Sequence, residues 1–263
     1  MLSMRASTSR SPNRRLRALR PTRGETNGGW LARAGVSTGV ILLGGAGLVD
    51  VRVRFAQSIV RHDLTPSSWS LAGLLLDGRE VRFVPHDAGP DPSTVPATNA
   101  IRSTDVEAFD DPERYPNIAV LAFASDAEAL RAAADEVRRQ RAIIDLPALV
   151  VAWLAYAWGV EDGNPLVAGR GVPSAAFVEA AHAVAGIELS PGLASASSCP
   201  EAIWQSARWW GEYYRESARM RAAGVSPSPG HADPQVPTGA YAVRQPAAAV
   251  TAPPEEDPSR SAP

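Results

Sequence analysis

The chain contains no lysine; all 26 basic residues are arginine. That excludes a P-loop lysine, a Schiff-base lysine and a Ser-Lys dyad. Cysteine occurs once, at Cys199, which excludes an internal disulfide framework and any multi-cysteine metal site. The four histidines (His62, His86, His182, His231) lie far apart with no H-E-x-x-H spacing, and no metal or other cofactor is expected. Strong charge of either sign is also missing. A net charge of -2 over 263 residues disfavours a bulk electrostatic nucleic-acid binder. What is present is ordinary for a globular protein: 45% apolar and 21% charged residues, enough for one core, with length allowing one domain or two. Absent lysine beside 21 glycines and 23 prolines reads as a GC-rich coding bias.

Composition is uneven along the chain. Residues 1–28 hold seven arginines and one glutamate without apolar periodicity, so a disordered basic tail is expected over 1–29. That tail is the one expected route to a nucleic acid or acidic partner. Residues 224–263 hold nine of the 23 prolines, and a second disordered tail is expected over 223–263. A folded domain over 30–222 remains. The apolar run 34–49 follows the basic stretch and has the outline of a signal peptide, with Arg14-Arg15 upstream. Its five glycines disfavour a helix, it is too short to span a bilayer, and no small-x-small cleavage site follows. It reads as a buried strand over 40–43 and then a glycine turn. A cytoplasmic protein without a membrane span is expected; export is the alternative if 14–49 act as a signal.

Periodicity outlines the rest. Residues 48–61 read as an amphipathic helix or a helix-like turn. Residues 70–76 form an apolar run that ends in Asp77-Gly78, a hairpin signal, with a returning strand over 80–84. Residues 86–103 are rich in Pro, Gly and Asp and read as a loop, and 118–123 as a buried strand. Ser125-Asp126 and Asp145 precede helices, the second too short to span a bilayer. Residues 174–186 read as a helix stopped at Gly186. Ser198 and Glu201 have capping-box spacing at the start of a last helix crowded with Trp204, Trp209, Trp210, Tyr213 and Tyr214. Strands plus segregated helices indicate α+β, with a small antiparallel sheet packed against helices.

Three stretches in this order carry a resemblance. Thr38-Gly39-Val40-Ile41-Leu42-Leu43 is similar to an opening G-D-V-I-L strand. Ser68-Trp69-Ser70-Leu71-Ala72-Gly73-Leu74-Leu75-Leu76-Asp77-Gly78 resembles W-S-H-[AV]-G-I-x-x-x-D-G. Pro173-Ser174-Ala175-Ala176-Phe177-Val178-Glu179-Ala180-Ala181, with Ala185-Gly186-Ile187-Glu188-Leu189, resembles C-S-x-x-V-x-x-A…A-G-I-x-L. The family is the circularly permuted papain-like hydrolases, NlpC-related, which include YiiX-like amidases and lecithin:retinol acyltransferase. The resemblance covers about residues 36–210 in element order. It implies a permuted papain-like fold, with a histidine base early in the chain and a cysteine nucleophile later, at a helix start.

The departures redirect the expected function. The histidine position is Leu71, which cannot accept a proton, and the cysteine position is Ser174. The third polar position falls near Phe83 and Val84. The resemblance therefore implies a catalytically inactive relative that binds or scaffolds a peptide, acyl or protein ligand in a groove. The alternative is an amide or ester hydrolase, or acyltransferase, using Ser174 or Cys199 with His86. Cys199 stands at an expected helix N-terminus, where the dipole favours thiolate; it also reads as a plain helix-cap residue. Asp110-Asp111 with Glu113, and Glu161-Asp162, read as loop charge. Gly44-Gly45-x-Gly47 reads as a tight turn, Asp145 as a cap, and His182 as a packing residue.

Overall fold

A computed structural model of the chain describes residues 16–86, 98–123, 125–222 and 237–246. The centre is the run that the sequence marks as a buried strand. It forms β2 (Gly39–Gly44), buried along its whole length. On one side it pairs antiparallel with β3 (Leu71–Leu76), and on the other with β6 (Asn117–Ala122). Asp77 and Gly78 both adopt positive φ, and β3 returns through them as β4 (Glu80–Phe83). A further strand, β5 (Arg102–Asp105), pairs with β4. It replaces the end of the expected 86–103 loop, of which residues 87–97 lie outside the described residues.

Strand side chains alternate, so the sheet has two distinct faces. Val40 and Leu42, with Ala72, Leu74, Ala119 and Leu121, face the helices. These are α2 (Leu48–Ala56), α3 (Ala127–Arg139), α4 (Leu146–Ala157), α5 (Pro173–Val184) and α6 (Pro200–Ala222). Ile41 and Leu43, with Leu71, Leu75, Ile118 and Val120, face the other way. There they meet α1 (Asn27–Ala34) and a 3-10 turn over Val106–Phe109. Apolar cover on both faces explains why β2 and β3 read as unbroken apolar runs. The expected helix caps at Asp126 and Asp145 form, each carboxylate accepting the backbone N–H three residues on.

The domain edges at 30 and 222 are too narrow. Leu16–Ala18 is a strand, β1, and α1 begins at Asn27 behind a Thr26 cap. Asn27 is buried, and its amide donates to the Phe109 and Tyr115 carbonyls. Trp30 is fully buried with its indole N–H on the Leu19 carbonyl. Part of the arginine content is structural: Arg33 pairs with Glu25, and Arg17 donates to the Ala34 carbonyl. At the other end Thr238–Val243 forms β7, which pairs antiparallel with β6 and parallel with β1. The physical reason is a proline-free window between Pro237 and Pro246, in which Ala240 and Ala242 face one side and Tyr241 the other. The expected small antiparallel sheet is thus a seven-stranded mixed sheet, ordered β1-β7-β6-β2-β3-β4-β5. The tail expectations for 1–15, 223–236 and 247–263 lie outside the described residues.

A buried arginine ties the far end of β7 into the fold. Arg54 donates from Nε to the Ser67 carbonyl and from Nη1 to the Gln245 side-chain oxygen, at 2.8 and 2.7 Å. Asn117 holds the same glutamine by donating to its backbone carbonyl and accepting from its backbone N–H. The molecule is α+β, and no helix among the described residues is long and apolar enough to cross a membrane.

Candidate functional site

Leu71 and Ser174 are the two positions at which the resemblance places base and nucleophile. Strand alternation separates their side chains. Leu71 belongs to the cluster under α1, whereas its neighbour Ala72 faces α5. Ser174 sits in the first turn of α5, fully buried, and its Oγ accepts the Ala72 backbone N–H at 3.2 Å. The hydroxyl is thereby a packing and hydrogen-bonding group between helix and strand.

Leu71 instead lines a cavity of about 450 Å3 at the other end of its side chain. That is within the range of small-molecule sites. The first turn of α2 contributes Val49 and Asp50, and the end of β4 contributes Phe83, Pro85 and His86. Arg102, Ser103 and Thr104 enter from β5; Ala108, Phe109, Arg114 and Tyr115 come from the 3-10 turn and the segment after it. Phe83, Phe109 and Tyr115 form an edge-to-face ladder, each neighbouring pair 5.3 Å between centroids. The Arg114 guanidinium stands 5.3 Å from the Tyr115 ring centre.

Polar groups in the cavity wall are held from behind. Ser70 Oγ donates to Asp50 Oδ1 at 2.6 Å and accepts the Gly45 N–H at 3.0 Å. A Cβ on Gly45 would collide with the Asp50 carboxylate and force it away from this position. Burial lowers Arg54 to about 10, and the Asp50 charge works against that shift. His86 Nε2 lies 2.6 Å from the Ser70 carbonyl. A carbonyl only accepts, so Nε2 carries a hydrogen and donates; Nδ1 is buried and has no partner among the described residues.

Cys199 is buried, and desolvation, its main perturbation, pushes the thiol up to about 12. The thiolate-favouring expectation is corrected: at this helix start burial outweighs the dipole. The expected capping box is corrected as well. The Glu201 carboxylate accepts from Ser67 Oγ at 2.6 Å and from Arg61 Nη1 at 2.9 Å, and its backbone N–H goes to Gln57. Ser198 Oγ donates to Glu179. Neither Ser174 nor Cys199 lines the cavity that holds His86. Asp111 accepts the Glu113 N–H within its own turn, and Asp110 accepts the Gly28 N–H at the start of α1, so both carboxylates serve the backbone. No metal-ligand cluster occurs among the described residues. His182 packs edge-to-face on Phe123 and donates from Nδ1 to the Val178 carbonyl. Gly47 precedes α2 as its cap, in keeping with a turn. Of the aromatics on α6, Trp204 packs between Trp69 and Tyr241.

Sequence reasoning missed Asp50, Arg102 and Arg114 as companions of His86. Asp50 carried a faint signal, three residues after the glycine turn; the two arginines carried none, because strand β5 and the chain reversal after it bring them in. No family model, curated protein or solved structure matches the chain.

Proposed function

We propose that the protein is a non-catalytic binding member of the permuted papain-like hydrolases, with the cavity beside Leu71 and His86 as its binding site. The observation that carries this reading is the fate of the two motif positions. An apolar Leu71 stands where a base would be, and the Ser174 hydroxyl is buried on a strand amide on the opposite side of β3. A serine needs an adjacent base to attack a carbonyl, and among the described residues the partner of Ser174 Oγ is an N–H donor, which cannot take its proton. Cys199, raised to about 12 and buried, holds almost no thiolate near neutrality. The antiparallel order of β2, β3 and β4, with α5 packed on β3, is compatible with the fold that the resemblance implies.

Covalent probes test this. The folded chain is treated with a fluorophosphonate for serine and with iodoacetamide for cysteine, and adducts are located by mass spectrometry. The expected result is no adduct at Ser174 or Cys199 until denaturant is added, whereupon Cys199 alkylates. A fluorophosphonate adduct on Ser174 of the folded protein, abolished in Ser174→Ala, overturns the reading. So does a rapid Cys199 adduct without denaturant.

A further inference from the structure

We infer that the cavity takes a small aromatic carboxylate, its ring against the Phe109–Tyr115 wall and its carboxylate on Arg114. The inference rests on the binding-site reading of this cavity and adds the ligand's chemical class. Three features support it. The wall is aromatic in a particular geometry: Phe83 to Phe109 and Phe109 to Tyr115 meet at 79° and 71°. Such a ladder continues naturally onto another flat ring, which brings apolar area without the rotamer entropy that a chain must lose. The cavity is of a size for one such molecule, not for a folded segment or a long chain.

The charges are arranged for an anion at the aromatic end. Arg114 makes no ion pair among the described residues and projects over Tyr115. A guanidinium there offers two parallel N–H donors to a carboxylate while its flat face stays on the ring. Among the described lining residues the one carboxylate, Asp50, is occupied at the α2 end by the Ser70 hydroxyl and attracted to the buried Arg54 behind it. A cationic ligand would find Asp50 already engaged; an anionic one finds Arg114.

The test is calorimetric titration of the full-length protein with 2-naphthoate, its neutral isostere 2-naphthamide, and decanoate as an aliphatic carboxylate. Naphthoate is expected to bind about tenfold more tightly than naphthamide, the size of effect that one charge-assisted pair supplies. Decanoate is expected to be the weaker of the two acids. Arg114→Gln should bring naphthoate and naphthamide to within about twofold of each other. Ala108→Trp, which fills the cavity from its exposed rim, should abolish binding; circular dichroism checks its fold, and Arg114→Gln carries the test alone if it misfolds. Equal affinity for naphthoate and naphthamide, no binding of either, or a ratio unchanged in Arg114→Gln overturns the inference. Decanoate binding as tightly as naphthoate overturns its aromatic part. Covalent labelling of Ser174 would overturn the non-catalytic reading while leaving the naphthoate-to-naphthamide ratio intact, so the two failures are distinguishable.

Discussion

His182 shows what a buried titratable side chain does when it has no charge partner. It lies inside α5 with Nδ1 on the Val178 carbonyl and Nε2 buried without a partner among the described residues. Burial holds it down at about 4, below the ordinary histidine value. The sign follows: between pH 4 and 6.5 the unfolded chain binds the proton and the folded chain does not. Stability is therefore complete above about 6.5 and declines as pH falls toward 4, by roughly 3 kcal/mol at most. Glu179, three residues earlier, is pushed up by its own burial and acts with the opposite sign in acid. Urea denaturation at stepped pH is expected to show the decline, to show it flattened in His182→Leu, and to show it steepened in Glu179→Gln. A wild-type profile flat from pH 7 to 4.5 would contradict the histidine assignment.

At the scale of the element, α6 is anchored through its first turn. Glu201 is fully buried and gathers Ser67, Arg61 and Gln205 around its carboxylate, while Gln57 accepts its backbone N–H. These contacts fasten α6 to the 3-10 turn over Gln57–Val60 and to the segment entering β3. Removing the carboxylate strands the buried Ser67 hydroxyl and takes one of two carboxylate partners from Arg61, which keeps Asp63. Glu201→Ala is expected to cost about 3 kcal/mol, read as a lower urea midpoint at unchanged slope. The spacing of Ser198 and Glu201 suggested a local cap, and it is satisfied by long-range partners instead. Local pattern located the helix start correctly, but it could not tell a neighbour three residues away from one more than 130 residues away.

At the scale of the molecule, the two ends of the described chain meet on one edge of the sheet. β7 lies between β1 and β6, and Gln245 just beyond it accepts hydrogen bonds from Arg54 and Asn117. A chain ending after Pro246 keeps every described element and is expected to melt within about 2 °C of the full-length protein. Ending the chain after residue 236 removes β7, exposes the edge of β6 and leaves the buried Arg54 without its glutamine partners. That chain is expected to melt at least 10 °C lower, what a loss of roughly 3–5 kcal/mol produces in a domain of this size, or to aggregate through the bare edge. Thermal scans with size-exclusion chromatography distinguish the outcomes. Equal melting of both chains would show β7 to be dispensable.

Periodicity, turn residues and caps by themselves determined the interior elements. The runs at 40–43, 70–76 and 118–123 became strands because continuous apolar stretches bury both faces. Asp77-Gly78 became the hairpin turn because it accepts positive φ, and Asp126 and Asp145 capped helices through a backbone bond three residues away. All of these are local effects, complete within one segment. Tertiary structure alone decided the rest. Leu16–Ala18 and Thr238–Val243 are short and weakly apolar, and they are strands only because each has a partner on the sheet edge. The cavity is likewise assembled from five separate segments, so no window of sequence contains it. That Leu71 faces away from Ser174 on α5 depends on the alternation of β3 between two packed layers, and that arrangement exists only once both layers are in place.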